Sequence, residues 1–140
     1  MMAQKVHEIM TADPATVPAQ APVSEAARLM GEQDIGAVLV TEEGRLRGVL
    51  TDRDIAVRVV AEMRSSETPA AEVCSPGPVV TCSPGDDVER AAVLMREHAL
   101  RRLPVVDEGR LVGVLSLGDL ALELDQRSAL ADISAARPNN

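Results

Sequence analysis

The sequence predicts an α/β (α+β) protein made of two β-α-β-β-α repeats, and three observations carry that reading. A gapless internal duplication runs through the chain, the apolar period switches in the same order in each copy, and no aromatic residue is present to build a different kind of core. Laid over one another at an offset of 65, Val23–Ala56 and Val88–Ala121 share sixteen identities in thirty-four positions. Most of these are apolar residues or glycines, among them Val23/Val88, Met30/Met95, Gly44/Gly109, Gly48/Gly113 and Leu50/Leu115. Upstream the similarity continues with one residue of slippage, pairing Ile9-Met10-Thr11 with Val73-Cys74-Ser75, Pro14 with Pro78, and Thr16-Val17 with Val80-Thr81.

Each copy opens with a short strand at Thr16-Val17 or Val80-Thr81. An amphipathic helix follows, with Val23, Ala26, Ala27 and Met30 at i, i+3, i+4 and i+7 and the same residue types at 88, 91, 92 and 95. Asp86-Asp87-Val88-Glu89 reads as a D-x-x-E capping box, and Pro22 as a first-turn proline. Next come β-branched runs, Ala37–Thr41 and Leu103–Val106, each returned through an acidic-Gly turn into Arg45–Leu50 and Arg110–Leu115 as a hairpin. A second helix begins at Thr51-Asp52-Arg53-Asp54 and at Ser116-Leu117-Gly118-Asp119 and runs to about Met63 and about Leu124. The expected organisation is repeat 1 over 5–63, a polar linker over 64–72, repeat 2 over 73–125 and a tail over 126–140. Two or three strands with two helices cannot cover both faces of a sheet, so the copies are expected to pack sheet to sheet about a pseudo-twofold axis, leaving a ligand cleft between them.

Composition narrows the function. A formal charge of −8 has the wrong sign for a phosphate backbone or an anionic membrane surface, so neither nucleic acid nor membrane is an expected partner. No apolar run reaches the roughly 18–20 residues of a membrane span and the start Met1-Met2-Ala3-Gln4-Lys5 leads into no signal-peptide core, which reads as cytoplasmic. Cys74 and Cys82, seven residues apart, fit neither a disulfide scaffold nor a CxxC motif and read as reduced thiols. Spacing brings His7 and His98 no nearer to them, so no metal is expected. No Ser-His-Asp, Cys-His or paired-carboxylate constellation stands out, so no catalytic residue is assigned and the chain is not expected to be an enzyme. Met10, Met30, Met63 and Met95 lie at apolar periodic positions and read as core filling in place of aromatics.

Read from the residues, Thr51 with Asp54, and Ser116 with Asp119, are capping boxes in which hydroxyl and carboxylate each satisfy a backbone N–H at the helix start.

Taken together, Ile9-Met10-Thr11 with Pro14 and Thr16-Val17, the V-x-E-A-A-x-x-M of Val23–Met30, Gly48–Asp54, Arg101–Asp107, and Gly113–Ser116 with Asp119 resemble a tandem CBS-domain pair, or Bateman module, over about residues 5–125. The chain is similar to stand-alone bacterial two-CBS proteins, the hypoxic response protein group among them. The resemblance implies a regulatory homodimer binding an adenosine-type ligand, AMP, ADP, ATP or S-adenosylmethionine, with no required cofactor. It assigns Asp54 and Asp119 to ribose hydroxyls, Thr51 and Ser116 to ribose or phosphate, and the backbone at Thr16, Val17, Val80 and Thr81, with apolar neighbours such as Pro104, to the adenine. Arg53, Arg101 and Arg102 are the candidate phosphate partners; Arg101 and Arg102 align with Gly36 and Ala37, so the halves are not equivalent. The rival readings are a ligand-free dimer recruiting an unidentified protein partner, and a metal or redox sensor using the cysteines and histidines. The helix faces carrying Ile55, Val59, Val60, Leu120 and Leu124 are the expected dimer contact.

Overall fold

The computed structural model describes residues 5–75 and 79–125. The expectations for the start of the chain, Pro78 and the tail from Arg127 lie outside them. In chain order the elements are α1 (Val6–Ile9), β1 (Thr11–Ala12), β2 (Thr16–Pro18), α2 (Val23–Gln33), β3 (Ala37–Glu42), β4 (Arg45–Thr51), α3 (Asp52–Ile55) running on as a π turn over Ala56–Val60, α4 (Ala70–Val73), α5 (Val88–Glu97), β5 (Arg102–Asp107) and β6 (Arg110–Ser116). A last helix, α6, covers 117–125. Both hairpins turn through two residues of positive φ, Glu43 (55°) with Gly44 (80°) and Glu108 (51°) with Gly109 (82°). That is the two-residue turn whose twist matches its strands.

The chain forms two compact units, and neither is a simple copy of one repeat. Of the described residues, one holds 13–75, 79 and 106–112, and the other holds 5–12, 80–105 and 113–125. In the first unit β2 runs parallel to β3, with Val17 opposite Val40, and β3 pairs antiparallel with β4. Val17, Val23, Ala26, Met30, Val40 and Leu50 form its core. In the second unit a parallel bridge joins Cys82 to Val105, and β1 pairs antiparallel with Val114 and Gly113 of β6. Val6, Val88, Met95, Leu103, Leu115 and Leu120 are buried there.

The composition of the units follows from a reciprocal exchange. The short helix opening repeat 1 docks on repeat 2: Val6 N–H donates to Asp86 O and His7 N–H to Pro84 O, both at 2.9 Å, with Lys5 bridged to Asp87. The short helix opening repeat 2 docks on repeat 1 by the matching bonds, Ala70 N–H to Ala21 O at 2.8 Å and Ala71 N–H to Ala19 O at 2.9 Å, with Pro69 bridged to Pro22. Glycines at equivalent strand positions admit the two segments. A Cβ on Gly48 would stand 2.7 Å from Cys74 Sγ, and one on Gly113 would stand 2.6 Å from Met10 Sδ and 2.9 Å from Thr11 O.

Several expectations are corrected. The stretch read as linker is packed: Thr68 and Ala70 are buried, Val23 N–H donates to Thr68 O, and the stretch ends in α4. The D-x-x-E box does not form, because α5 starts one residue later with Asp87 at its N-cap, and the Asp86 carboxylate instead accepts from Ser83 N–H at 2.9 Å. Pro22 is the N-cap of α2 and not its first residue. Ala27 is exposed, so the buried stripe of α2 is Val23, Ala26 and Met30, with Leu29 half-buried against it. Met63 is 91 % exposed at φ 57°, where the helix has already ended, and fills no core. Val80 and Thr81 lie outside any strand; the residue paired as Val17 is paired is Cys82, so the one-residue slippage lies upstream of it, after Ser75.

Gly113→Ala forces a Cβ into the backbone of Thr11, whereas Gly48→Ala meets a side chain first. In urea unfolding Gly113→Ala is expected to cost about 1–3 kcal/mol and Gly48→Ala less.

Candidate functional site

The helix start after each hairpin holds one of the two pairs singled out above, Thr51 with Asp54 and Ser116 with Asp119. In repeat 1, Asp52 N–H donates to Gly36 O at 3.0 Å, fixing the corner between β4 and α3. Thr51 and Asp54 make the capping box both ways: Asp54 N–H donates to Thr51 Oγ1 at 3.1 Å, and Thr51 N–H donates to Asp54 Oδ2 at 2.9 Å. Asp54 Oδ1 lies 3.9 Å from Nε of Arg58, one turn on. Arg58 in turn points Nη1 at the carbonyls of Val73 and Cys74, at 3.4 and 3.3 Å, where α4 ends. The Asp54 carboxylate is therefore engaged on both oxygens, and its side chain is only 15 % exposed.

The repeat 2 corner is built alike but left open. Leu117 N–H donates to Arg101 O at 2.8 Å, and Asp119 N–H to Ser116 Oγ at 3.0 Å. The return bond does not form: among the described residues the Asp119 carboxylate accepts no hydrogen bond, and it stands exposed beside half-buried Ser116. A carboxylate in that state has its lone pairs available for a hydroxyl pair. Gly118 occupies the position of Arg53 and leaves the approach to it unobstructed by a side chain.

The remaining candidates divide. Arg53 is exposed, with its N–H on the Asp52 carboxylate at 2.7 Å. Arg101 is exposed at the repeat 2 corner, and Arg102 is half-buried on β5. Pro104 is buried, and its carbonyl accepts from Cys82 N–H at 3.0 Å, which makes it part of strand pairing. Val80 and Thr81 are half-buried ahead of that bridge. Val17 is 2 % exposed in the core, whereas Thr16 is exposed at a depression of about 320 Å³ shared with Glu25, Arg28, Leu29 and Glu32. Arg28 is a cation the sequence reasoning missed. Its only signal is the i, i+3 spacing from Glu25 on the outer face of α2, which surface helices show routinely.

A scan of family models matches the CBS domain twice, at residues 6–61 and 70–125. The chain belongs to the CBS-domain family. The CBS domain-containing protein YhcV of Bacillus subtilis is 44% identical over 133 residues, covering 92% of this chain and 94% of YhcV. Hypoxic response protein 1 of Mycobacterium tuberculosis is 31% identical over 129 residues, with 91% and 90% covered. Among solved structures, Hypoxic Response Protein I with two coordinated zinc ions superposes with a TM-score of 0.77 at 32% identity, over 84% of this chain and 97% of that one. CBSX2 in complex with AMP gives 0.76 at 26% identity (90% and 99%). The CBS pair of MJ0100 with 5′-methylthioadenosine and S-adenosyl-L-methionine gives 0.75 at 25% (88% and 97%).

The thiols of the two CBS repeats are core groups. Cys74 and Cys82 are 6 % and 4 % exposed. Burial pushes the Cys74 thiol up, and burial with a smaller contribution from Asp86 pushes that of Cys82 up to about 12. Both stay protonated at neutral pH, the reverse of a reactive sensor thiol. His7 and His98 are exposed, and among the described residues no three His, Cys, Asp or Glu side chains gather as a metal site. No helix of the described residues is long and apolar enough to cross a membrane.

The sign of the Cys82 shift fixes a pH dependence. The folded thiol titrates near 12 and the unfolded one near 9.0, so its contribution is complete below 9 and is lost as pH rises toward 12. Urea unfolding of wild type is expected to weaken across that window. Cys82→Val, which installs the residue found at Val17, is expected to flatten this decline and to change stability at pH 7 by less than about 1.5 kcal/mol.

Proposed function

We propose that this CBS pair is a non-catalytic, cytoplasmic sensor that binds an adenosine-type ligand, AMP, ATP or S-adenosylmethionine, with the corner formed by Ser116 and Asp119 as its principal ribose contact. The supporting observation is the difference between the two helix starts: Asp54 is committed to Thr51 N–H and faces Arg58, and Asp119 is committed to neither. The open carboxylate accepts the two ribose hydroxyls, Ser116 and the amides opening α6 meet the next group of the ligand, and Arg101 supplies positive charge in a chain of net −8. AMP in CBSX2 and the two adenosyl compounds in MJ0100 support this ligand class. Binding then shifts a conformational or partner-binding equilibrium by differential affinity.

The acting species in this reading is a homodimer. Of the residues expected at its contact, Val59 and Leu120 are buried inside the chain at 4 % and 2 % exposure, whereas Val60 is exposed. Val57, Val60, Leu117 and Leu122 are the exposed apolar residues of α6 and of the helix begun by α3, and Leu117 lines an apolar groove of about 520 Å³ between α5 and α6.

Isothermal titration of AMP, ATP and S-adenosylmethionine into wild type, Asp119→Ala and Asp54→Ala, each checked for folding by circular dichroism, tests the reading. Loss of a charged hydrogen bond worth about 1.5–3 kcal/mol weakens binding roughly 10- to 150-fold in Asp119→Ala, with a smaller effect in Asp54→Ala. A folded wild type that gives no heat with any of the three overturns it in favour of a ligand-free interaction module.

A further inference from the structure

The duplication makes each residue of one repeat a control for its counterpart, and at one buried position the counterparts carry opposite charge. Arg58 corresponds, at the offset of 65, to Glu123. In repeat 1 the Arg58 guanidinium lies within 3.9 Å of the Asp54 carboxylate and donates to the carbonyls of Val73 and Cys74 at the end of α4. It is a built-in cation serving three oxygen-bearing groups.

The matching frame in repeat 2 has the same oxygens and no cation. Asp119 replaces Asp54 and carries a free carboxylate, and α1 is docked on repeat 2 by the same pattern of bonds as α4 on repeat 1. The carbonyls of Ile9 and Met10 therefore correspond to those of Val73 and Cys74. Glu123, one turn along α6 from Asp119, is 8 % exposed, and its Oε1 is the one buried side-chain oxygen or nitrogen among the described residues without a hydrogen-bond partner. A buried carboxylate oxygen without a hydrogen-bond partner is costly unless a cation compensates it.

We infer that Glu123, with Asp119 and the chain end of α1, holds a hard divalent cation of the magnesium or calcium class at the place where repeat 1 carries the guanidinium of Arg58. The donors are carboxylate and carbonyl oxygens with no sulfur or imidazole, the set that such cations select. Two protein carboxylates leave most of the coordination to carbonyls and water, which sets the affinity in the millimolar range of extracellular-type oxygen sites. The inference does not require the adenosine reading, because the cation is held by the protein alone.

Thermal unfolding at constant ionic strength, with millimolar MgCl2 or CaCl2 exchanged for NaCl, reads the site. Wild type is expected to gain roughly 2–5 °C in Tm, saturably, with one of the two cations. Glu123→Arg rebuilds the repeat 1 arrangement and is expected to raise Tm without divalent cation and to abolish the response. Glu123→Gln removes the charge with little change of volume, is expected to abolish the response as well, and serves if Glu123→Arg does not fold. Equal Tm values for wild type in divalent and sodium salts overturn the proposal and leave Glu123 as a buried side chain with no bound ion. A response that survives in Glu123→Gln overturns it too, by placing any bound cation elsewhere. The titrations with AMP, ATP and S-adenosylmethionine, run without divalent cation, fail or succeed independently of either result.

Discussion

Everything in this fold depends on four backbone hydrogen bonds arranged in two reciprocal pairs. Val6 and His7 hang the opening turn of repeat 1 on Asp86 and Pro84, and Ala70 and Ala71 hang that of repeat 2 on Ala21 and Ala19. A helix of four residues has no stability of its own, since nucleation costs more than its few bonds return. Each of these turns exists because its N–H groups find fixed carbonyls on the other repeat and its valine, Val6 or Val73, is fully buried there. Those contacts in turn require bare glycine at positions 48 and 113, where the entering sulfur atoms leave no room for a methyl. The helix starts that carry the candidate chemistry sit at the far ends of the glycine-bearing strands, so the scaffold of the site and the exchange of segments are one construction.

Lacking aromatics, the protein fills its interior with small branched side chains. The core of the first unit mixes valines with Ala19, Ala21, Ala26 and Ala70, and the backbone approaches closely in consequence. A nucleobase entering such a protein finds aliphatic side chains and carbonyls but no ring to stack on, which places the burden of recognition on polar contacts. In the reading proposed above, the open carboxylate at Asp119 supplies a polar contact to the ribose, whereas both oxygens of Asp54 are already engaged, by Thr51 N–H and toward Arg58.

Much of this was legible in the residues. The hairpins announce themselves through β-branched runs on either side of Glu-Gly turns, and α2 and α5 through their apolar spacing, because these elements are built from neighbours in sequence. The exchange of opening turns was not legible, because Val6 meets carbonyls some eighty residues away and four residues are too few to show a period. The strand equivalence was misread for a related reason: the repeats run at an offset of 64 through α1 and α4 and of 65 from Cys82 onward, and a cysteine standing where its counterpart is Val17 gave no identity to mark the change. At the site, the [ST]-x-x-D pattern is the same string whether it caps or binds. The two copies differ at the residue four positions later, Arg58 in one repeat and Glu123 in the other, and that difference gains meaning once Arg58 is seen beside the end of α4.

The exchanged turns are alike in structure but not in the order in which a ribosome delivers them. When Ala70 and Ala71 leave the exit tunnel, Ala19 and Ala21 are already outside, and that half of the exchange closes at once. Val6 and His7 emerge first and have no acceptor until Pro84 and Asp86 follow, a wait of roughly 4–16 s at about 5–20 residues per second. Until then Val6 and His7 lack the acceptors they have in the folded chain. A protein whose repeats trade their first turns thus closes the two halves of the exchange at different times during synthesis.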